Sequence, residues 1–199
     1  MDSAGDPHAM NKQLPLILAS VSPRRKLILK EAGFRFRVVP SHIRERHPRG
    51  VRPSDLVRSL ALAKAVSVAK QCPAHEVLGA DTIVYIGKTI LGKPQNPSHA
   101  KQILRKLSGS WQRVYTGVAV VSEGGRKRKT GVAITRVKFR PLTEKDIERA
   151  SRRHLDKAGA YAIQEGKDPF VQRIVGDYDN VVGLPMRVVK SLLARLRGA

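Results

Sequence analysis

The amino-acid sequence predicts a mixed α/β fold, in which helices flank a twisted sheet that contains both parallel and antiparallel strands. Apolar segments of strand length alternate with segments of helical periodicity, as in folds whose helices cover a sheet. Other strand-like segments follow one another across short turns, which is the connection of antiparallel strands. No repeat, low-complexity tract or Pro/Gly/Ser-rich linker divides the chain. We therefore expect a disordered leader over 1–13 and one domain over 14–199.

The first predicted unit is a strand, a tight turn and a helix. Residues 16–19 form an apolar run of strand length. Ser22 suits the N-cap of the following helix, and Pro23 suits its first position, where a missing N–H costs nothing. We expect this helix to end near Ala32, because Gly33 can adopt the left-handed conformation of a C-terminal cap.

The middle of the chain predicts two more strands, a hairpin and two helices. The helices show apolar positions at helical spacing, and Ser54 and Ser98 are expected to cap them. Gly87 and Lys88 suit the turn of a hairpin. The predicted elements, in order, are a strand over 34–39, a helix from Ser54 to Cys72, a strand over 77–86, a hairpin strand over 89–91 and a helix from Ser98 to Gly109.

The last part of the chain predicts a hairpin, a helix, two further strands and a final amphipathic helix. Thr143 and Asp146 have the spacing of a capping box at the start of a helix. The predicted elements, in order, are paired strands over 114–121 and 132–139, a helix over 143–153, strands over 160–163 and 170–175, and a helix over 185–196.

The charge of the chain indicates an anionic partner. Lys and Arg number 38 against 16 Asp and Glu, which gives a formal net charge of +22, while 41% of the residues are hydrophobic. This composition is that of a folded protein rather than a disordered basic tail. Nucleic acid, an anionic membrane surface and a phosphorylated substrate would each satisfy such a charge. Composition alone does not choose among them.

The cysteine count and the length of the apolar runs limit the cellular compartments in which the protein is expected. Cys72 is the only cysteine, which excludes an intramolecular disulfide and any Cys-rich metal site. No apolar run approaches the ~20 residues of a membrane-spanning helix. The polar N-terminal residues lack the pattern of a secretory signal. We therefore expect a cytoplasmic protein without a membrane partner.

The turn after the first strand is a candidate phosphate site. Ser20, Ser22, Arg24 and Arg25 surround the start of a predicted helix. Free N–H groups and the helix dipole favour an anion at such a place, and hydroxyls and guanidiniums add donors. The alternative is an ordinary Ser-Pro helix start with two surface arginines.

Asp81 is the sharper candidate, because it places a carboxylate inside a segment that otherwise indicates a buried strand. A buried charge is costly unless it is paired, bound to a metal or used in catalysis. Lys64 falls near the middle of the apolar stripe of its helix, and Lys93 lies in the Gly92-Lys93-Pro94 turn. For all three residues a structural alternative stays open: a paired structural acid, or a lysine whose ammonium reaches water. Together with the Ser/Arg turn, they could hold a polyphosphate and a divalent ion and direct a water at phosphorus.

Seven segments of the chain, in order, resemble the characteristic blocks of the Maf nucleoside triphosphate pyrophosphatases. These segments are LASVSPRR at 18–25, GADTIV at 79–84, LGKP at 91–94, LSG at 107–109, VYTGVA at 114–119, KAGAYAIQ at 157–164 and GDYDNVVGLP at 176–185. The resemblance implies a fold related to the inosine triphosphate pyrophosphatases, with a deep nucleotide cleft. It also implies cleavage between the α and β phosphates and a requirement for Mg²⁺ or Mn²⁺.

The same resemblance implies a role for individual residues. Asp81 matches the proton acceptor of the family, and with Glu45 it would serve the metal. The family usually has two consecutive acids in the loop of Glu45, whereas this chain has Arg44 before it. The residues implied to bind phosphate are Ser20, Arg24, Arg25, Lys64 and Lys93. The residues that match the specificity positions of members acting on dTTP and UTP are Arg24, Thr82 and Gln164.

The leading hypothesis is a pyrophosphatase that hydrolyses dTTP and UTP, or modified pyrimidine nucleotides, and so limits the incorporation of unwanted nucleotides. Its partner would be the nucleoside triphosphate, and a homodimer stays open. The alternative, motivated by the charge and by Arg44, is a basic nucleic-acid-binding or cell-division regulatory protein with weak residual pyrophosphatase activity.

Overall fold

A seven-stranded mixed sheet forms the centre of the computed structural model, which describes residues 14–45, 48, 50–92, 94–152 and 169–198. The strands are β1 (Leu16–Leu18), β2 (Phe36–Val38), β3 (Val77–Ile86), β4 (Thr89–Leu91), β5 (Trp111–Ser122), β6 (Lys127–Phe139) and β7 (Val171–Val175). Their order is β2-β1-β3-β5-β6-β7, and β4 pairs with β3 at one end. The pairs of β1 with β2 and β3 are parallel, and the others are antiparallel. The predicted mixed sheet is therefore confirmed.

Six helices cover the two faces of the sheet in the described part of the chain. They are α1 (Pro23–Glu31), α2 (Pro53–Ala69), α3 (Pro97–Leu107), α4 (Glu144–Ser151), α5 (Tyr178–Val182) and α6 (Met186–Arg197). The core residues of α1 and α6 pack against one face of β3 and β5, and those of α2 pack against the other. Of these helices, none combines the length and the apolar character that a membrane crossing requires.

Most predicted elements are present, and two predicted helix caps are wrong. The strand over 77–86, its hairpin and the capping box of Thr143 and Asp146 are confirmed. Ser54 and Ser98 lie inside their helices, because Pro53 and Pro97 take the first helical position. The caps are Arg52 and Asn96, two residues before the predicted serines. The five-residue helix α5 was not predicted. The leader over 1–13 and the strand predicted over 160–163 lie outside the described residues.

Two glycines allow α2 to lie directly on the sheet. A Cβ at Gly79 of β3 would overlap the carbonyl oxygen of Ala61, and one at Gly117 of β5 would overlap the carbonyl oxygen of Val57. The backbone of α2 therefore approaches the backbone of both strands more closely than any side chain would allow. This contact sets the height of α2, and hence of Lys64, above the sheet.

Replacing Gly117 with alanine should displace α2 and destabilise the protein. The new methyl group meets rigid backbone rather than a flexible side chain, so we expect a loss of about 3 kcal/mol in the free energy of unfolding, at the upper end of overpacking costs. Urea titration followed by circular dichroism measures it. Gly92→Ala is the matched control, because a Cβ there meets nothing within 4 Å. Equal stability of the two variants would contradict this account of how α2 packs.

Alternation along β3 separates two neighbouring polar residues. Successive side chains of a strand point to opposite faces of a sheet. Asp81 accordingly contacts Lys64 of α2, whereas Thr82 contacts Arg25 of α1 and the turn after α5 on the other face. The two residues thus act in different surroundings although they are adjacent in sequence.

Candidate active site

Asp81 and Lys64 form a buried ion pair between β3 and α2. The two residues are 5% and 8% exposed, and the Lys64 Nζ donates a hydrogen bond of 2.6 Å to Asp81 Oδ1. The position of Lys64 in the apolar stripe of its helix therefore predicted its burial correctly. The alternative in which its ammonium reaches water is wrong, because the ammonium is bound to the buried carboxylate.

Glu45 adds a second carboxylate to the same ammonium. Its Oε1 lies 2.7 Å from Lys64 Nζ, and about half of its side chain is exposed. Glu45 is in the loop between β2 and α2, so the loop brings an acid from the solvent side toward the buried Asp81. Arg44, the residue before it, is exposed. One buried ammonium thus joins an interior carboxylate to a carboxylate at the surface.

The donor set at this position fits a hard divalent cation. Carboxylate oxygens suit Mg²⁺ and Mn²⁺, and a Mg²⁺ ion is commonly held by one or two carboxylates together with substrate phosphates and water. Both carboxylates already share a cation, the Lys64 ammonium. Among the described residues, no group of three or more His, Cys, Asp or Glu could hold a metal by itself. An ion here would therefore depend on phosphate oxygens to complete its coordination.

The turn between β1 and α1 brings Arg25 close enough to Asp81 and Glu45 to interact electrostatically with both carboxylates. Ser22 occupies the N-cap of α1, but its side chain makes no capping hydrogen bond. Its N–H donates instead to Ser20 Oγ at 3.3 Å. Arg24 is half-buried in the first turn of the helix. The start of α1 therefore keeps N–H groups without a side-chain cap, which is the arrangement that favours an anion.

Arg25 differs from the surface arginine of the alternative interpretation, because its guanidinium is bound inside the protein. It donates to the carbonyl oxygens of Gly183 and Ala80, both at 2.9 Å. It also donates to Ser20 Oγ at 3.3 Å and to Thr82 Oγ1 at 3.0 Å. Burial lowers the pKa of Arg25, and the nearby charge of Asp81 opposes that effect. Arg25 thus connects α1, β3 and the turn after α5.

Thr82 belongs to the same group of contacts. Its hydroxyl lies 3.0 Å from Thr116 Oγ1 of β5 and 3.4 Å from the carbonyl oxygen of Gly183. Sequence reasoning did not single out Thr116 or Asn180 of α5, which is fully buried. A signal for both existed: Thr116 is a polar residue in an apolar strand, and Asn180 lies in one of the characteristic blocks.

Two predicted site residues, Lys93 and Gln164, lie outside the described residues. The remaining ones, from three separate segments, come together around β3. They are Ser20, Arg24 and Arg25 from the first turn and helix, Glu45 and Lys64 from the loop and α2, and Asp81 and Thr82 from β3.

A cavity of about 310 Å³ lies elsewhere on the sheet, beside the turn between β3 and β4. Tyr85, Lys88, Trp111 and Arg136 are among the residues that line it, and the Arg136 guanidinium stacks 4.6 Å from the centre of the Trp111 ring. None of the predicted site residues within the described part of the chain lines this cavity. The ion pair of Asp81 and Lys64 is therefore a separate site.

Comparison with known proteins identifies relatives along almost the whole chain. The family model described as Maf-like protein matches residues 15–196. A dTTP/UTP pyrophosphatase of Elusimicrobium minutum is 42% identical over 180 residues, which cover 90% of this chain and 97% of the relative. A dTTP/UTP pyrophosphatase of Bacillus cereus is 49% identical over 180 residues, which cover 89% of this chain and 88% of the relative.

Among solved structures, the Staphylococcus aureus Ham1 protein has a similar fold. The TM-score is 0.52 at 12% sequence identity, and the match covers 92% of this chain and 98% of the other. This likeness concerns the fold alone, and it agrees with the mixed α/β class predicted from the sequence. The family match over residues 15–196 and the two relatives above 40% identity establish more than the fold. They show that this chain belongs to the Maf-like protein family.

Proposed function

We propose that this protein is a nucleoside triphosphate pyrophosphatase that hydrolyses dTTP and UTP to the nucleoside monophosphate and pyrophosphate. The observation that carries the proposal is the buried pair of Asp81 and Lys64 beside the uncapped start of α1. The names of the two relatives, both dTTP/UTP pyrophosphatases, supply the substrate class. Such an enzyme would remove unwanted nucleotides before they are incorporated.

Asp81 is suited to accept the proton of an attacking water. A general base must be an anion held at a fixed position. The packing of β3 and α2 fixes Asp81, and the Lys64 ammonium compensates its buried charge. Lys64 in turn bridges to Glu45, so this side chain links the two carboxylates.

Cationic groups and the start of α1 would bind the triphosphate. Ser20 lies in the turn before α1, Arg24 lies in the first turn of this helix, and Lys93 follows β4 in the chain. The donors of Arg25 are directed to protein acceptors, so Arg25 contributes positive charge and holds the turn in place. Fixed cations are effective where negative charge develops during phosphoryl transfer.

Asp81 and Glu45 are the residues that would hold a divalent cation, Mg²⁺ or Mn²⁺. When bound, such an ion polarises phosphoryl oxygens and neutralises their charge. Lys64 contacts both carboxylates, so it holds the two residues that would bind the ion close together.

We assign recognition of the base to Gln164. A side-chain amide can donate to a ring carbonyl and accept from a ring N–H, which is the pattern of thymine and uracil. We further propose the cytoplasm as the location of the protein, because the chain has a single cysteine and its substrates are nucleotides.

Replacing Gln164 with glutamate should lower kcat/KM for dTTP about 100-fold, because a carboxylate cannot donate to the ring carbonyl and leaves that carbonyl without a partner. Steady-state kinetics with dTTP measures the effect. Gln102→Glu, on the exposed side of α3, is the control for the added charge. Equal kcat/KM in Gln164→Glu and Gln102→Glu would remove Gln164 from the base site.

The experiment that tests the proposed function is a panel of canonical and modified nucleoside triphosphates, incubated with the protein and Mg²⁺ or Mn²⁺. Release of pyrophosphate is followed by a coupled assay. We expect the highest kcat/KM for dTTP and UTP and little turnover of purine nucleotides. If no nucleotide in the panel releases pyrophosphate, the proposed function is wrong.

A further inference from the structure

A chain of hydrogen bonds runs from Arg25 through the interior of the sheet. The Arg25 guanidinium donates to Thr82 Oγ1 at 3.0 Å, and Thr82 Oγ1 lies 3.0 Å from Thr116 Oγ1. The Thr116 hydroxyl donates to the backbone carbonyl of Asn180 at 3.2 Å. The chain therefore connects α1 to β3, β5 and α5.

Each hydroxyl in this chain has one hydrogen, and the distances to the available acceptors favour one direction. When Thr116 donates its hydrogen to the carbonyl of Asn180, Thr82 is the donor to Thr116. The other acceptor near Thr82, the carbonyl of Gly183, is farther away at 3.4 Å and already accepts from Arg25 at 2.9 Å. The Thr82 hydroxyl thus accepts from Arg25 and donates to Thr116.

The Asn180 side chain anchors the far end of the chain. Its Nδ2 donates to the carbonyl of Val114 at 3.1 Å and to Thr135 Oγ1 at 2.9 Å. Thr135 donates onward to the carbonyl of Asp177 at 2.9 Å. The opposite amide orientation would set the Asn180 oxygen against the carbonyl oxygen of Val114, so this orientation is the stable one. The anchor is rigid, since Asn180, Thr116 and Thr135 are all fully buried.

We propose that Thr82, Thr116 and Asn180 are positioning residues that hold Arg25, and that Thr82 influences the reaction through the phosphate-binding turn rather than by contact with the base. Two observations support the proposal. The Thr82 hydroxyl is already engaged as donor and acceptor within the protein. Arg25, which it orients, also binds Ser20 in the turn that precedes α1. The inference rests on the proposed function only for the nature of the ligand, a polyphosphate.

The test uses inorganic triphosphate, which has phosphates but no base. Its binding to the full-length protein is measured by isothermal titration calorimetry in EDTA. Thr82→Val keeps the shape of the side chain and removes the hydroxyl, so Arg25 loses one acceptor and the turn loses order. We expect the Kd of triphosphate to rise about tenfold, as for the loss of a hydrogen bond to a charged group. Thr82→Ser should restore binding, because it keeps the hydroxyl.

Further measurements separate positioning from a general loss of structure. Thr116→Val should also raise the Kd of triphosphate. The Kd of the double variant should be close to that of the single variant that binds less tightly, since either substitution already breaks the same chain of hydrogen bonds. KM should rise by the same factor for every nucleotide, with a smaller change in kcat. Thr130→Val, a half-buried threonine of β6, is the matched control and should bind triphosphate as wild type does. Thermal unfolding verifies each variant, and Thr116→Ala replaces Thr116→Val if that variant does not fold.

If Thr82 instead contacted the base, the binding and kinetic measurements would give the opposite result. Thr82→Val would then bind triphosphate within twofold of wild type and would change kcat/KM for dTTP relative to other nucleotides. That result would overturn the proposal. Two other results would overturn it as well: Kd increases that multiply when Thr82→Val and Thr116→Val are combined, and a wild-type protein that does not bind triphosphate. A protein that binds triphosphate but hydrolyses no nucleotide would refute the proposed function and leave the binding test of the chain intact.

Discussion

Asp81→Asn is expected to lower kcat for dTTP hydrolysis by about 10²- to 10⁴-fold, the range that general-base catalysis contributes. Asparagine has the same shape but cannot take a proton from water. It also removes one of the two carboxylates that share the Lys64 ammonium. Pyrophosphate release at saturating dTTP measures the loss, and thermal unfolding establishes that the variant is folded.

The control for this substitution is Asp55→Asn. Asp55 forms surface ion pairs with Arg52 and Arg58 at the start of α2. It is on the same helix as Lys64, but its side chain is exposed, whereas the Asp81 side chain is buried. We expect its kcat to match that of wild type, because surface ion pairs contribute little. A kcat for Asp81→Asn within threefold of the Asp55→Asn value would exclude Asp81 as the base.

Lys64→Met is expected to cost about 3–5 kcal/mol in the free energy of unfolding, because it leaves the carboxylate of Asp81 buried without its counter-charge. Methionine fills much of the volume of the lysine stem, so the loss reports on charge rather than on a cavity. The variant should also lose catalytic activity, since both carboxylates lose the group that holds them together. Urea unfolding at pH 7 measures the stability.

A double variant and a surface control make this prediction specific. Lys64→Met combined with Asp81→Asn should be more stable than Lys64→Met alone, because the uncompensated charge is removed. Lys70→Met, at the exposed end of the same helix, should change stability by less than about 0.5 kcal/mol. If the double variant were less stable than the single one, the pair would not depend on charge compensation.

The sequence identified individual site residues, but it did not predict which of them contact one another. Asp81 stood out as an acid in an apolar strand, and Lys64 as a lysine in an apolar stripe. That these two meet depends on how closely α2 approaches the sheet, and Gly79 and Gly117 permit this approach. Such a tertiary distance leaves no local pattern in the sequence. Glu45 was implied only by the family resemblance, because an acid in a basic loop has no periodicity to mark it.

The contacts of Arg25 and Thr82 could not be predicted by considering each residue separately. The sequence indicated a cation near a helix start, and the family resemblance implied that Thr82 reads the base, so both hypotheses gave the ligand as the partner. In the structure they bind each other and the backbone of β3 and of the turn after α5. Strand alternation separates Thr82 from Asp81, but apart from the nearby Ser20, the acceptors that engage Arg25 come from positions 55 to 158 residues away.

Net charge was a weak guide to the chemistry. A formal charge of +22 is compatible with nucleic acid, membrane or phosphate, whereas the site depends on a few cations placed around one buried acid. Other basic residues form surface ion pairs, such as Arg105 with Glu144 and Arg197 with Glu76. Their contribution concerns the surface of the protein rather than the reaction.

The central claim is that the site around Asp81 cleaves a nucleoside triphosphate between its α and β phosphates. The most direct measurement is ³¹P NMR of the products formed from dTTP by the wild-type protein and by Asp81→Asn. We predict equal amounts of thymidine monophosphate and pyrophosphate from wild type and neither product from the variant on the same time scale. Formation of thymidine diphosphate and orthophosphate, or equal product formation by the two proteins, would contradict the claim.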